Sequence, residues 1–345
     1  MSLSMSLSLE QALDMAEQAL EEGEFEDALA LAQQALALAA DDPDALELMG
    51  LSQAELGEFE AADETFARLL KRDPGNVTAI IAAADVKIRQ PGDDRERIEE
   101  GLALLRRAEP KAQKEEALSI ELELLRGIAL NQLGEFEAAL DSFAKVLHLD
   151  PEHGEAQLER ALVLFEQGRF GEAKKAFEKL AREFPEEPWS PHYLGLLAER
   201  RGEDPEPWFK KARAIDPEEF PSPTHLTGAE FDDAVAQAIA KLPAHARPHL
   251  DNAVISVEPI PTDAEIKEGL SPLILGVFHG TPIDERLDLH PGHQETVRIT
   301  LFQKNLERFA RDRAELLEEI RITVLHEVGH LLGLDEDELY ERGLD

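Results

Sequence analysis

Residues 326–330 read His-Glu-Val-Gly-His, two imidazoles four positions apart with a carboxylate beside the first. In a helix of 3.6 residues per turn, His326 and His330 lie ~40° apart around the axis and ~6 Å apart along it. They therefore share a face, and both rings can reach one zinc ion at about 2.0–2.1 Å. Glu327 projects from the flank of that face, where a carboxylate reaches a metal-bound water without ligating the metal. Such a set suits the polarisation of a carbonyl and its attack by water, with Glu327 as general base.

A catalytic zinc needs a third protein ligand and one open position. If the helix simply continued, residue 336 would sit ~9 Å beyond His330 and point away from it. Gly333 can instead adopt a left-handed conformation and turn the chain back towards the histidines. Glu336 is then the first choice as third ligand, Asp335 the second and Asp337 the third. Only fifteen residues follow His330, so a ligand from a much later helix is not expected. A third histidine six residues on is ruled out by Glu336 itself, and Met1, Met5, Met15 and Met49 all lie far from this end. The metzincin pattern, with its third histidine and methionine turn, is thus not met. His279, His290 and His293 are read as solvated loop residues, with approach to the metal as the alternative. Tyr340 is read as a packing or surface residue, with oxyanion stabilisation as its alternative.

The element that must carry this chemistry is a helix from about 313 to 332. Asp312 is its N-cap, and Glu315 completes a capping-box pattern. Alternating or continuous apolar runs at 253–257, 273–278 and 297–302 predict strands, and 229–241 predicts a further helix. Residues 225–345 therefore read as a small α+β domain, with Pro221-Ser222-Pro223 as the linker before it. The strand near 274–279 is a candidate edge for an extended substrate.

Upstream, residues 8–220 repeat. Gly-Glu-Phe-Glu begins at Gly23, Gly57 and Gly134, and Gly-Arg-Phe-Gly at Gly168. Gly23 to Gly57, Gly134 to Gly168 and Gly168 to Gly202 are each 34 residues apart. Pro74, Pro151 and Pro185 close units. Ala62, Ala139 and Ala173 are each followed four residues later by Phe66, Phe143 or Phe177. Gly50, Gly127 and Gly195 fall eight positions into their units. This pattern resembles the tetratricopeptide repeat, two helices per 34-residue unit. Glycine permits the turn, alanine allows close approach, phenylalanine fills the gap between neighbouring pairs, and proline ends the second helix. Five units are clear, the first without its phenylalanine. Residues 76–117 form one irregular pair, interrupted by Gln90-Pro91-Gly92-Asp93-Asp94. The resemblance implies an all-α solenoid with a groove for a protein partner.

The C-terminal part resembles the small bacterial minimal zincin-like metallopeptidases, over most of 230–345. Phe231-Asp232-Asp233-Ala234 followed by Leu242-Pro243 is similar to that family's opening helix, and Val254-Ile255-Ser256-Val257-Glu258-Pro259 to its first strand. Leu275 to Pro282 is similar to its Leu-Gly-aromatic-x-Gly-x-Pro segment, and Val324 to Leu339 to its active-site end. The resemblance implies a zincin-like fold, a bound Zn2+ and peptide-bond hydrolysis. It also implies Glu336 as third ligand, at a position where the family more often has aspartate.

Composition bounds the partners. Acidic residues number 73 and basic ones 35, a formal net charge of -38. Such a surface repels nucleic-acid backbones and anionic lipid heads, so the groove partner is expected to be basic or neutral. The chain has no cysteine, which excludes disulfides, thiolate catalysis and thiolate metal ligands. It shows no secretion signal or spanning apolar run, and a cytoplasmic protein is expected. The leading expectation is a zinc-dependent peptidase whose repeats recruit a peptide or protein substrate. The alternative is a repeat adaptor whose zincin-like domain binds metal without turnover.

Overall fold

The structure is a computed structural model, and it describes residues 7–92, 94–242, 250, 253–281, 297–335 and 338–339. Its contacts divide the chain into two compact units, Met1–Val163 and Leu164–Asp345.

The repeat grammar becomes helix pairs: α1 (Leu9–Glu21) with α2 (Phe25–Leu38), α3 (Pro43–Glu55) with α4 (Phe59–Arg72), and α5 (Val77–Arg89) with α6 (Arg95–Ala112). Then come α7 (Glu116–Gln132) with α8 (Phe136–Leu149), α9 (Gly154–Glu166) with α10 (Phe170–Glu183), and α11 (Trp189–Arg200) with α12 (Glu206–Ile215). The irregular pair is α5 and α6, where α6 runs for 18 residues. In the other five pairs a glycine with φ between 68° and 77° makes the turn, a conformation that costs other residues a steric penalty.

Phe66, Phe143 and Phe177 are fully buried, each worth about 1.5–3 kcal/mol on the usual scale for large apolar side chains. Their packing refines the expectation that they fill gaps between pairs. A Cβ built on Gly50 would stand 2.8 Å from the Phe66 ring, and one on Gly127 2.5 Å from the Phe143 ring. The repeated glycine is therefore a seat for the phenylalanine of the same pair. Phe66 also shares its cluster with Ala79, Ala82 and Ala83 of the next pair, so the ring serves both contacts. In the first pair, the equivalent positions are Ala16 and Ala32, both fully buried, and the helices close without a ring.

In the second compact unit, α10–α12 share their packing with α13 (Gly228–Lys241), β1 (Ala253–Glu258), α14 (Asp263–Lys267), β2 (Gly276–His279), β3 (Val297–Phe302), α15 (Gln303–Phe309) and α16 (Arg313–Leu331). The sheet order is β1-β3-β2, with β1 parallel and β2 antiparallel to β3. Phe231, Val235, Ile299, Leu301, Leu316, Ile320, Val324 and Val328 form one core with their neighbours. The i, i+4 stripe Leu316, Ile320, Val324 and Val328 thus lays α16 on the sheet. β2 begins at Gly276 rather than at 273, because Leu273–Leu275 lead into the sheet through turns.

The stretch after α12 is strapped down rather than loose. Glu307 is buried and accepts hydrogen bonds from the Leu226 amide and Gln303, with its other oxygen 2.9 Å from His225 Nδ1. At the end of α11, Glu199 pairs with Lys304 and Arg308, and Arg200 donates to the Pro261 carbonyl and to Asp263.

Candidate metal centre

α16 begins where Asp312 accepts from the amides of Ala314 (2.7 Å) and Glu315 (3.0 Å). Glu315 reaches back to the Arg311 amide, one residue before the cap. The helix then runs unbroken through the motif, and His326 and His330 lie on one face as their spacing requires. Their Nε2 atoms stand 3.0 Å apart, with the rings nearly perpendicular at 83°. Two nitrogens bound tetrahedrally to zinc at about 2.0–2.1 Å would lie ~3.3 Å apart. The observed separation is a few tenths of an ångström shorter than that.

The outer nitrogen of His330 is 3.2 Å from the Leu334 carbonyl. With Nδ1–H donating to that oxygen, Nε2 keeps its lone pair for the metal. That carbonyl is in reach because Gly333, at φ 90°, reverses the chain directly after α16. Leu339 then returns against the helix and is fully buried. It lies where a Cβ on Gly329 would be, 2.3 Å from its Cδ2. Gly329 inside the motif is thus the notch that receives the returning tail, a role the His-x-x-x-His spacing alone does not reveal.

Glu327 is buried, at 5% exposure, on the side of α16 that meets β2. A Cβ on Gly276 would stand 2.6 Å from Thr323 Cγ2 and 3.1 Å from Glu327 Oε1. Only glycine lets the strand lie this close to the carboxylate. Asn305 supports the approach by donating to the Pro272 and Ile274 carbonyls at 3.1 and 2.8 Å. Nothing in the spacing of the histidine motif points to Gly276 or Asn305. The glycine in the Leu-Gly-aromatic segment was the available signal.

Asp335 holds a local role: its carboxylate accepts from the Glu338 amide at 2.9 Å, and Glu338 reaches back to the Asp335 amide. This is a reciprocal cap on the turn that carries Leu339. His279 lies at the far end of β2 and registers with Arg298. Strand alternation puts it on the face opposite Gly276 and Phe278, near Glu265 rather than the histidine pair. Glu336, Asp337, His290, His293 and Tyr340 lie outside the described residues. Among the described residues no group of three or more His, Asp or Glu side chains gathers at one point. The two imidazoles with an adjacent buried carboxylate nonetheless fit the donor chemistry of zinc.

Family models match both parts of the chain. Residues 250–344 match the family model described as zincin-like metallopeptidase. Residues 19–90 and 124–188 match tetratricopeptide-repeat models. Among solved structures, a tetratricopeptide repeat protein from Parabacteroides merdae is 19% identical, covering 62% of this chain and 80% of its own with a TM-score of 0.50. The pilF protein of Pseudomonas aeruginosa is 19% identical over 61% of this chain and 92% of its own, at a TM-score of 0.49. A thermophilic repeat protein of Thermus thermophilus is 24% identical over 55% and 98%, at 0.46. The first of these likenesses speaks for the fold of the repeats. The chain therefore joins N-terminal tetratricopeptide repeats to a C-terminal zincin-like metallopeptidase domain.

Proposed function

We propose that the protein is a zinc-dependent peptidase of the cytoplasm. Residues 225–345 would form its catalytic domain, and the repeats over 8–220 would recruit a peptide or protein. The observation that carries this is the convergence of His326 and His330 Nε2 at 3.0 Å beside the buried Glu327. His326 and His330 would hold the ion, with Glu336 as third ligand. The capping role of Asp335 supports Glu336 over Asp335, because an oxygen of Asp335 is already committed to the Glu338 amide. When bound, zinc supplies Lewis acidity and a water acidified to near-neutral pKa.

Glu327 takes the proton of the attacking water on its carboxylate and passes it to the leaving amine. Its burial against Gly276 limits the positions the carboxylate can occupy. β2 is the terminal strand of the described sheet, paired with β3 along one side only. Its other edge offers backbone groups to an extended peptide beside Glu327.

For the repeats, a basic or neutral partner is supported by the carboxylates on α5, α7 and α9. Asp85 and Glu155 both bind Arg89, at 2.6 and 2.8 Å. Burial raises the carboxyls of Asp85, Glu121 and Glu159, the last to about 7. An approaching cation would relieve this crowding of acids.

The test compares the parent with Glu327→Gln in zinc content and in cleavage of a peptide library. Equal zinc and a loss of turnover of at least about a hundredfold is expected. Cleavage by the variant at the parent's rate would remove Glu327 as base. Zinc bound by both with no cleavage by either would leave a metal-binding adaptor instead.

A further inference from the structure

The second compact unit contains a cavity of about 370 Å³ to which α16 contributes no lining residue. Its walls come from α11, α12, α15, the stretch around 219–223, and Leu273 and Leu275. Aromatic rings dominate one side. Trp189 meets Phe220 edge-on at 4.8 Å, and His192 lies 4.8 Å from Phe220 and 5.5 Å from Phe209. Trp189 and Phe309 also leave apolar surface in solvent, at 37% and 59% exposure. His192 is pulled down to about 4 by burial and then by Arg308, so at neutral pH it is an uncharged wall. Its ring makes no hydrogen bond among the described residues.

The charge lining this cavity runs against the rest of the molecule. Acids outnumber bases 73 to 35 in the whole chain, yet here Arg213, Arg308 and Arg311 face a single acid, Glu219. Arg308 is held by Glu199 and by Asn305 Oδ1, and stands 5.7 Å over the Phe209 ring. Burial lowers it only to about 10, so it stays cationic. Arg213 is paired with Glu206. The Arg311 side chain makes no ion pair among the described residues.

We propose that this cavity is a binding site for an acidic peptide segment, taking a bulky apolar side chain against Trp189, Phe209 and Phe220 and an adjacent carboxylate at Arg311. Aromatic walls supply non-directional burial, and a planar guanidinium at the rim supplies two parallel donors that match a carboxylate. Arg213 and Arg308 are already paired with Glu206 and Glu199, so Arg311 is the cation that a peptide carboxylate meets at this cavity. The site stands independently of the peptidase assignment.

Trp189 reports on its own occupancy in a Trp208→Phe background. The probe is acetyl-Gly-Ser-Gly-Asp-Phe-Asp, with controls in which lysine replaces both aspartates or alanine replaces phenylalanine. A saturable change in fluorescence is expected with the acidic probe, weakened at least about tenfold by either control and by Arg311→Glu. Arg311 is exposed, so that variant keeps its fold, and Phe309→Ala should weaken binding in the same way. Glu327→Gln should bind like the parent. Equal binding of acidic and basic probes, no effect of Arg311→Glu, or no saturation by about 1 mM overturns the proposal. Loss in Glu327→Gln instead assigns the probe to the α16 site and overturns it as well. A change in Trp189 emission with protein concentration alone gives the cavity to a second copy of the chain, again overturning it.

Discussion

Replacing Gly329 with alanine tests how the tail beyond α16 is held. The new Cβ would stand 2.3 Å from Leu339 Cδ2, against about 3.5–4.0 Å for an ordinary carbon contact. The Leu339 Cδ2 methyl must then shift by more than an ångström, which its seat against the helix opposes. The helix does not pay for the change, since alanine is favoured over glycine there by about 1 kcal/mol. What is lost, at the upper limit, is the burial of Leu339, worth about 1.5–3 kcal/mol. A loss of about 2 kcal/mol moves the balance between docked and undocked tail about thirtyfold. The proposed ligand Glu336 lies in that tail, so zinc affinity should fall by up to the same factor while α16 stays helical. Competition with a chromogenic chelator measures the affinity, and far-UV circular dichroism checks the helix. Leu339→Ala should act in the same direction. The double variant should cost no more than the worse single one, because both changes act on one contact. Parental zinc affinity in a folded Gly329→Ala would refute the tail as the source of the third ligand.

Two further predictions concern stability. Glu199→Ala strands Arg308, whose side chain is 17% exposed. It should cost the second compact unit about 2–3 kcal/mol, below the value for a fully buried pair because Arg308 also faces the cavity. Both tryptophans, Trp189 and Trp208, lie in that unit, so their fluorescence in urea reads it directly, and a change under about 0.5 kcal/mol would contradict the pairing. Glu159→Gln should stabilise the first compact unit at neutral pH. The folded carboxyl of Glu159 is raised from 4.5 to about 7, first by burial and then by Glu155. The stability tied to this group is therefore present below pH 4.5 and lost as pH rises towards about 7. The gain from glutamine should be full near pH 7.5 and vanish at pH 4, and urea unfolding with the same gain at both would contradict the assignment.

Much of this was legible in the sequence because it rests on local spacing. The interval of 34 residues and the burial of Phe66 and Phe143 follow from helix period and side-chain size, whereas their seating on Gly50 and Gly127 is a tertiary contact. The helix through His326 and His330 follows from its apolar stripe and the Asp312 cap. α14 and α15 are short helices of 5 and 7 residues, with too few turns to show a period in the sequence. Leu273 and Ile274 are as apolar as a strand, so the sequence predicts β2 from 273, while the turns that hold them depend on Asn305, 31 residues or more away. The seat for Leu339 and the strapping of 221–227 by Glu307 are likewise long-range contacts that no window of sequence displays. Pro221-Ser222-Pro223 read as a spacer, yet Glu307 pins Leu226 just beyond it.

Glu199 and Arg200 are neighbours in sequence, but they grip different elements: one holds α15, the other the Pro261–Asp263 turn that follows β1. A pull applied through α11 therefore reaches the sheet from both ends of that grip at once, in parallel, and bypasses the chain between 216 and 227. Tension entering through α11 is thus shared between the segments that follow β1 and β3, at the same end of that parallel pair.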